Sequence, residues 1–137
     1  MIYHSERLVG VNPVLVGFIE SLIDCLTKHY PDWLILCGWR GRIDQHAAFL
    51  TKTSMVDWPH SKHNHMINGL PDSLAVDLSP YPYDGGKDKS RLYLVAGYAM
   101  AVANELGVKL RIGADWDGDF QTLDQQLQDP WHYELIV

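Results

Sequence analysis

The composition of the chain describes one globular domain and excludes several classes of function. Of its 137 residues, 47% are hydrophobic and 20% are charged, so the chain can bury a core and is not disordered. Lys and Arg number 11 against 17 Asp and Glu, which gives a formal net charge of −6. This acidic balance argues against binding to a nucleic-acid backbone or an anionic membrane surface, because both need clustered basic residues.

No sequence stretch predicts a membrane anchor or an export signal. None approaches the roughly 20 apolar residues that a transmembrane helix needs, and the N-terminus lacks the basic start and apolar run of a secretory signal. Cys25 and Cys37 are too few for a disulfide framework, and each lies in an apolar segment. We therefore expect two buried thiols in a protein made in a reducing compartment.

The first half of the chain predicts two helices and a strand. Residues 12–30 open with Asn12-Pro13, a favourable N-cap and first helical residue, and continue with apolar residues at helical spacing. The apolar run 33–37 predicts a buried strand, and residues 44–51 predict a short helix. Residues 53–73 have no periodicity, so we expect a long loop there, of the kind that is usually functional or disordered.

The second half predicts three strands, one Ala-rich helix that ends at Gly107, and an irregular acidic segment. The predicted strands are 74–78, 108–112 and 131–136, the helix is 88–106, and the acidic segment is 113–128. The resulting order of α, β, α, β, α, β, β favours an α+β fold with a small, mainly antiparallel sheet.

Metal-ligand residue types concentrate at three places. A histidine-rich run, His60 to His65, lies in the long loop, Asp77 lies at the end of an apolar strand, and Asp129 precedes His132 at the last strand. Catalytic zinc takes three ligands of these types and keeps a position open for water. The residue types also allow another reading, in which Asp77 pairs with an arginine and the histidines are solvated, since no HExxH or CxxC motif is present.

Several short motifs, taken in order, resemble the M15 zinc peptidases, most closely the phage L-alanyl-D-glutamate endopeptidase branch of endolysins. The resemblance spans residues 37–135. The motifs that carry it are Cys37-Gly38-Trp39-Arg40 with Gln45, Ser61-Lys62-His63-Asn64, Leu74-Ala75-Val76-Asp77-Leu78, Gly113-Ala114-Asp115-Trp116-Asp117-Gly118-Asp119 and Asp129-Pro130-Trp131-His132-Tyr133-Glu134-Leu135.

The resemblance implies a single zinc peptidase catalytic domain over residues 1–137, with the α+β fold of the hedgehog and D-Ala-D-Ala peptidases. It also implies one Zn²⁺ per chain and a role for each matched residue. The implied zinc ligands are His63, Asp77 and His132. Asp129 would be the general base for the attacking water, and Arg40 would stabilise the carbonyl oxygen. Ser61 would support the site or contact the substrate.

One departure from the family pattern affects the choice of loop ligand. About six residues separate the loop histidine from the strand aspartate in the family, whereas thirteen, Asn64 to Val76, intervene here. The extra residues include Met66 to Pro71. We prefer His63 as the ligand because it carries the Ser-Lys context, and His65 is the alternative.

Three alternating carboxylates suggest a second metal site. Asp115, Asp117 and Asp119 resemble the start of an oxygen-rich Ca²⁺ loop, although the Glu at position twelve of an EF-hand is missing. The simpler interpretation is that these carboxylates cap a turn, and Asp115 is also a candidate substrate contact.

The resemblance implies hydrolysis of an amide bond in peptidoglycan stem peptides, most closely the L-Ala–D-Glu bond, by a phage lysis enzyme. A D-Ala-D-Ala carboxypeptidase, a noncatalytic peptidoglycan-binding or phage structural module, and a metal-free domain are the alternatives. We expect a monomer that binds no nucleic acid, inserts in no membrane, and stays in the host cytoplasm until a holin releases it to the cell wall.

Overall fold

The structure is a computed structural model that describes residues 1–121 and 129–137. It contains seven short strands and three α-helices. The strands are β1 (Ile2–Tyr3), β2 (Trp33–Cys37), β3 (Met66–Ile67), β4 (Leu70–Pro71), β5 (Ala75–Pro80), β6 (Leu110–Ile112) and β7 (His132–Leu135). The helices are α1 (Pro13–Leu26), α2 (Arg42–Leu50) and α3 (Lys89–Leu106), with 3₁₀ turns at Ser5–Leu8 and Lys62–Asn64.

Five of the strands form one sheet in the order β1-β2-β5-β7-β6. β1 pairs with β2 in parallel, and the other three neighbouring pairs are antiparallel. The predicted α+β fold with a mainly antiparallel sheet is therefore confirmed. Sequence periodicity did not predict β1, because a strand of two residues is too short to show alternation.

Helix α1 begins where the sequence predicts. The Asn12 side chain accepts a hydrogen bond from the Val14 amide at 2.9 Å, and Pro13 occupies the first turn. The helix ends at Leu26, before the predicted stop at Pro31. Its apolar face packs on the sheet together with α3, and each fully buried large side chain there stabilises the fold by roughly 1.5–3 kcal/mol. The buried residues of α1 are Leu15, Phe18, Ile19, Leu22, Ile23 and Leu26.

The segment 53–73 is not the structureless loop that the sequence predicts. It contains the second 3₁₀ turn and the β3–β4 hairpin, which is joined by Asn68-Gly69. Asn68 and Gly69 have positive φ angles of 53° and 77°, the backbone that an Asn-Gly hairpin turn favours. The prediction was wrong because these elements are two and three residues long and have no period to read.

The two faces of the central sheet have different roles. Val76 and Leu78 of β5 belong to the hydrophobic core with α1 and α3. Because side chains alternate along a strand, the intervening Asp77 lies on the opposite face. The core thus covers one side of the sheet and leaves a polar row on the other.

In the described residues, no helix has the length and apolar character needed to cross a membrane.

Cys25 is exposed and Cys37 is half-buried, so the prediction of two buried thiols was wrong. Cys25 lies next to the last buried residue of α1, where the apolar sequence context continues past the edge of the buried face.

Candidate active site

The candidate site is built on a row of residues that crosses three adjacent strands. The register pairs Cys37 of β2 with Asp77 of β5, and Asp77 with His132 of β7. Paired residues in neighbouring strands point to the same face, so this row lies opposite the core. The Asp77 carboxylate is at its centre and is 9% exposed.

His63 reaches the row from the 3₁₀ turn above it. Ser61 caps this turn by accepting a hydrogen bond from the His63 amide at 3.2 Å. On the ring, Nδ1 lies 2.8 Å from the Gly38 carbonyl oxygen, which can only accept, so Nδ1 donates. The opposite nitrogen, Nε2, faces Asp77 Oδ1 at 3.5 Å.

The residue that accepts from His63 Nδ1 must be glycine, because a Cβ at position 38 would collide with the backbone oxygen of Arg7.

His132 approaches Asp77 from the other side. Its Nδ1 lies 2.8 Å from Asp77 Oδ1, and its Nε2 donates to the buried carboxylate of Glu134 at 3.0 Å. Each histidine therefore has one nitrogen anchored by a protein acceptor and the other facing Asp77. This is how ligand histidines are oriented in metal sites.

The charges of His63, Asp77 and His132 are coupled to one another. Burial lowers the pKa of His63, but the Asp77 carboxylate outweighs burial and raises it to about 10. Burial disfavours the Asp77 carboxylate, yet the charge of His63 and the hydrogen bond from His132 hold its pKa well below its usual range. The buried Asp77 carboxylate is therefore stabilised by the positive charge that it induces on its histidine neighbours.

Cys37 adds a thiol beside this cluster. Cys37, His63 and Asp77 each offer one ligand atom, and these three atoms lie within 4.8 Å of one another. The Cys37 sulfur is 3.6 Å from His63 Nδ1. Burial alone raises the pKa of the thiol, but contact with His63 outweighs it and lowers the pKa below its usual value.

A cleft of about 200 Å³ opens over the row and brings the predicted catalytic residues together. Asp129 lines it, and burial together with the charge of Asp77 raises the pKa of its carboxyl group. Gly113 packs directly against the Asp129 backbone, where a Cβ would collide with the Asp129 carbonyl oxygen. The lining residues are Arg40, Thr53, Ser54, Met55, Val56, Ser61, His63, Asp77, Trp116, Asp129, Trp131 and His132.

Arg40 lines the cleft, and its guanidinium bonds to neutral partners. Its Nη1 donates to Gln45 Oε1 at 3.1 Å and its Nη2 donates to the Cys37 sulfur at 3.3 Å. Within residues 1–121 and 129–137, no carboxylate forms an ion pair with this guanidinium. Asp77 thus pairs with histidines and not with Arg40.

Comparison with known proteins identifies the family. The family model described as phage L-alanyl-D-glutamate peptidase matches residues 3–136, almost the whole chain. The chain belongs to this family. It is therefore a peptidase, and the predicted resemblance to the phage endopeptidase branch is confirmed.

A solved structure supports the fold of this phage-type peptidase. The crystal structure of Serratia marcescens L-Ala D-Glu endopeptidase ChiX matches it with a TM-score of 0.70 at 19% identity, covering 99% of this chain and 90% of that one. At this identity the match shows that the two proteins share a fold. No curated protein sequence matches the chain.

The remaining predicted site residues differ in their distance from the cleft of the peptidase. Ser61 lines it, whereas the His65 ring turns away and its Nδ1 lies 3.0 Å from an Asp72 carboxylate oxygen. Asp115 is not among the lining residues of the cleft, although its neighbour Trp116 is. The geometry therefore favours His63 over His65, and substrate contact by Asp115 stays a prediction.

Glu134 and Gln45 contact site residues, but the sequence did not predict a role in the site for either of them. Glu134 is 6% exposed and holds the outer nitrogen of His132. The His-x-Glu spacing on a strand was available in the sequence, because residues two apart share a face. Gln45 appeared only as part of a motif, and its contacts depend on how α2 packs.

Replacing Glu134 with Gln tests this anchoring. The amide keeps the size of the side chain but removes the negative charge, so we expect zinc affinity to fall about 10–100-fold. Competition with a chromophoric chelator measures the affinity, and Glu105→Gln on the exposed end of α3 is the control. Equal zinc affinity in wild type and Glu134→Gln would contradict an anchoring role.

Proposed function

We propose that this chain is a single zinc-dependent catalytic domain that hydrolyses the L-Ala–D-Glu amide bond of peptidoglycan stem peptides. One observation carries the metal assignment: the Asp77 carboxylate lies between the inward-facing nitrogens of two histidines whose outer nitrogens are already anchored. Two imidazoles and one carboxylate are a ligand set that catalytic zinc takes.

The donor set fits Zn²⁺ better than a hard cation. Mg²⁺ and Ca²⁺ prefer oxygen ligands, whereas imidazole nitrogens suit zinc. His63, Asp77 and His132 would hold the ion, with the Cys37 thiol beside them. The bound ion supplies a Lewis acid that polarises the scissile carbonyl and makes a water molecule more acidic.

The side chains around the ligands supply the remaining chemistry. The Asp129 carboxylate takes a proton from the attacking water and passes it to the leaving amine, and its raised pKa suits both transfers. The Arg40 guanidinium donates to the carbonyl oxygen as negative charge develops there. Trp116 and Trp131 line the same cleft.

Mass spectrometry of muropeptides after incubation with the protein tests the proposed bond. We expect products split between L-Ala and D-Glu, and we expect a chelator to abolish them and added Zn²⁺ to restore them. Loss of terminal D-Ala would instead assign a D-Ala-D-Ala carboxypeptidase. An intact substrate, with zinc confirmed on the protein, would contradict the proposed bond and favour a noncatalytic binding module.

We propose that this peptidase acts as a phage lysis enzyme. We propose that it acts on its own as a monomer and that a holin releases it from the host cytoplasm to the cell wall. Expression in a bacterial host with and without a holin tests the second point: we expect lysis only when the two are combined. Lysis by the peptidase alone would contradict holin dependence.

We also propose a Ca²⁺ site at Asp115, Asp117 and Asp119. One carboxylate oxygen from each lies within 4.8 Å of the others. Asp115 is 6% exposed, and its Oδ1 has no hydrogen-bond partner in the described part of the chain. The other Asp115 oxygen caps the turn by accepting from the Phe120 amide at 2.8 Å, so turn capping and cation binding are compatible.

Calorimetric titration with Ca²⁺ tests this second site. We expect one ion per chain to bind to the wild-type protein, and the Asp117→Asn variant to bind it at least about tenfold more weakly, because ligand charge sets Ca²⁺ affinity. Asp24→Asn on the exposed face of α1 is the control. Absence of binding at millimolar Ca²⁺ would contradict the proposed Ca²⁺ site and favour turn capping.

A further inference from the structure

Gln45 is a buried amide whose hydrogen-bonding capacity is completely used. It is the only buried residue of α2 and has 0% exposure. Its Nε2 donates to the Ser54 hydroxyl at 2.9 Å and to the Val56 carbonyl at 2.7 Å. Its Oε1 accepts from Arg40 Nη1 and from Asn64 Nδ2, both at 3.1 Å. A glutamine amide has two donors and two acceptor positions, and all four are filled.

The four partners come from three separate segments around the cleft. Arg40 supplies the guanidinium, and Asn64 belongs to the 3₁₀ turn that carries the ligand His63. Ser54 and Val56 belong to one wall of the cleft. Helix α2 therefore presents a single polar side chain to the interior, and this side chain bonds to the arginine, the ligand turn and the wall.

Arg40 depends strongly on these neutral partners. Among the described residues, the contacts that direct the guanidinium are those with Gln45 Oε1 and the Cys37 sulfur, together with its own backbone. That backbone is itself tied to the ligand turn, since the Arg40 amide donates to the His63 carbonyl at 3.0 Å and Asn64 Nδ2 donates to the Arg40 carbonyl at 2.8 Å.

We propose that Gln45 is a positioning residue that fixes the Arg40 guanidinium and the 53–56 wall relative to the metal ligands. This inference rests on the proposed function, in which Arg40 stabilises the developing oxyanion. A neutral amide suits this task because it orients the guanidinium without neutralising its charge, whereas a carboxylate would compete with the oxyanion for it. Misplacement of a reacting group by about 1 Å lowers rates on the order of 10²-fold.

A double-mutant cycle separates positioning from simple structural support. Gln45→Met keeps the length of the side chain and removes all four hydrogen bonds. In the wild-type background we expect it to lower kcat about 10–100-fold with zinc content unchanged. In the Arg40→Ala background we expect a further loss of less than about threefold, because the group that Gln45 positions is already absent. Asp44→Met, on the exposed face of the same helix, is the matched control.

The cycle has outcomes that overturn the proposal. An equal loss from Gln45→Met in both backgrounds would show a purely structural role, and a loss of less than about twofold in the wild-type background would show no role. Should Gln45→Met fail to fold, the same cycle is run with Gln45→Asn, which keeps a neutral amide but is one methylene too short to reach all four partners. Additive effects in that cycle would overturn the proposal in the same way.

Hydrogen exchange gives a readout that is independent of the reaction. In Gln45→Met we expect loss of amide protection at Arg40, Val56 and Asn64, while the amides of α1 keep theirs. Unchanged protection at these three amides would overturn the proposal whatever substrate the enzyme cleaves. If protection is lost but the wild-type, zinc-loaded protein cleaves no muropeptide, the proposed function fails and the positioning of Arg40 stands.

Discussion

Substitution of His63 by alanine is expected to prevent zinc binding and abolish peptidase activity. His63 Nε2 faces the Asp77 carboxylate, and its other nitrogen is anchored on the Gly38 carbonyl, so the substitution removes a donor that the fold holds in place against Asp77. We expect the loss of zinc affinity to exceed the roughly 10–100-fold effect of removing an outer partner. Metal analysis after gel filtration and muropeptide cleavage measure the two effects.

His65→Ala is the matched control for this experiment. It removes a histidine from the same loop, but the His65 ring bonds to Asp72 and is turned away from Asp77. We expect His65→Ala to keep one zinc ion per chain and near-wild-type activity. If His65→Ala lost the metal and His63→Ala kept it, the ligand assignment would be wrong.

Substitution of Asp129 by asparagine is expected to lower kcat about 10²–10⁴-fold, the usual contribution of a general base. This corresponds to roughly 3–5 kcal/mol on the activation barrier. Asparagine has nearly the same shape but cannot take a proton. Because Asp129 is not among the three proposed ligands, zinc content is expected to remain at one ion per chain.

Steady-state kinetics on a purified muropeptide, with metal analysis of the same samples, test this prediction. Asp24→Asn is the control, since it makes the same change at an exposed position of α1. A kcat within threefold of wild type in the zinc-loaded Asp129→Asn enzyme would exclude Asp129 as the base. Loss of zinc in this variant would instead make Asp129 a metal ligand.

Much of the fold could be predicted from the sequence because its longer elements have strong local patterns. The apolar spacing of α1, the Asn12-Pro13 start and the Gly107 end of α3 depend on neighbours within a few residues, and the structure contains all three. The errors fall on elements with little local pattern, namely β1, the β3–β4 hairpin and the last turn predicted for α1. Such short elements are held by contacts from outside their own segment.

The sequence by itself determined the family and the order of its motifs along the chain, because each motif is a short run of neighbouring residues. Only the tertiary structure decided that His63 and not His65 faces Asp77, that Glu134 anchors His132, and that Gln45 holds Arg40. The reason is the distance along the chain between contacting residues. Asp77 and His132 are 55 residues apart, so only the pairing of β5 with β7 brings them together.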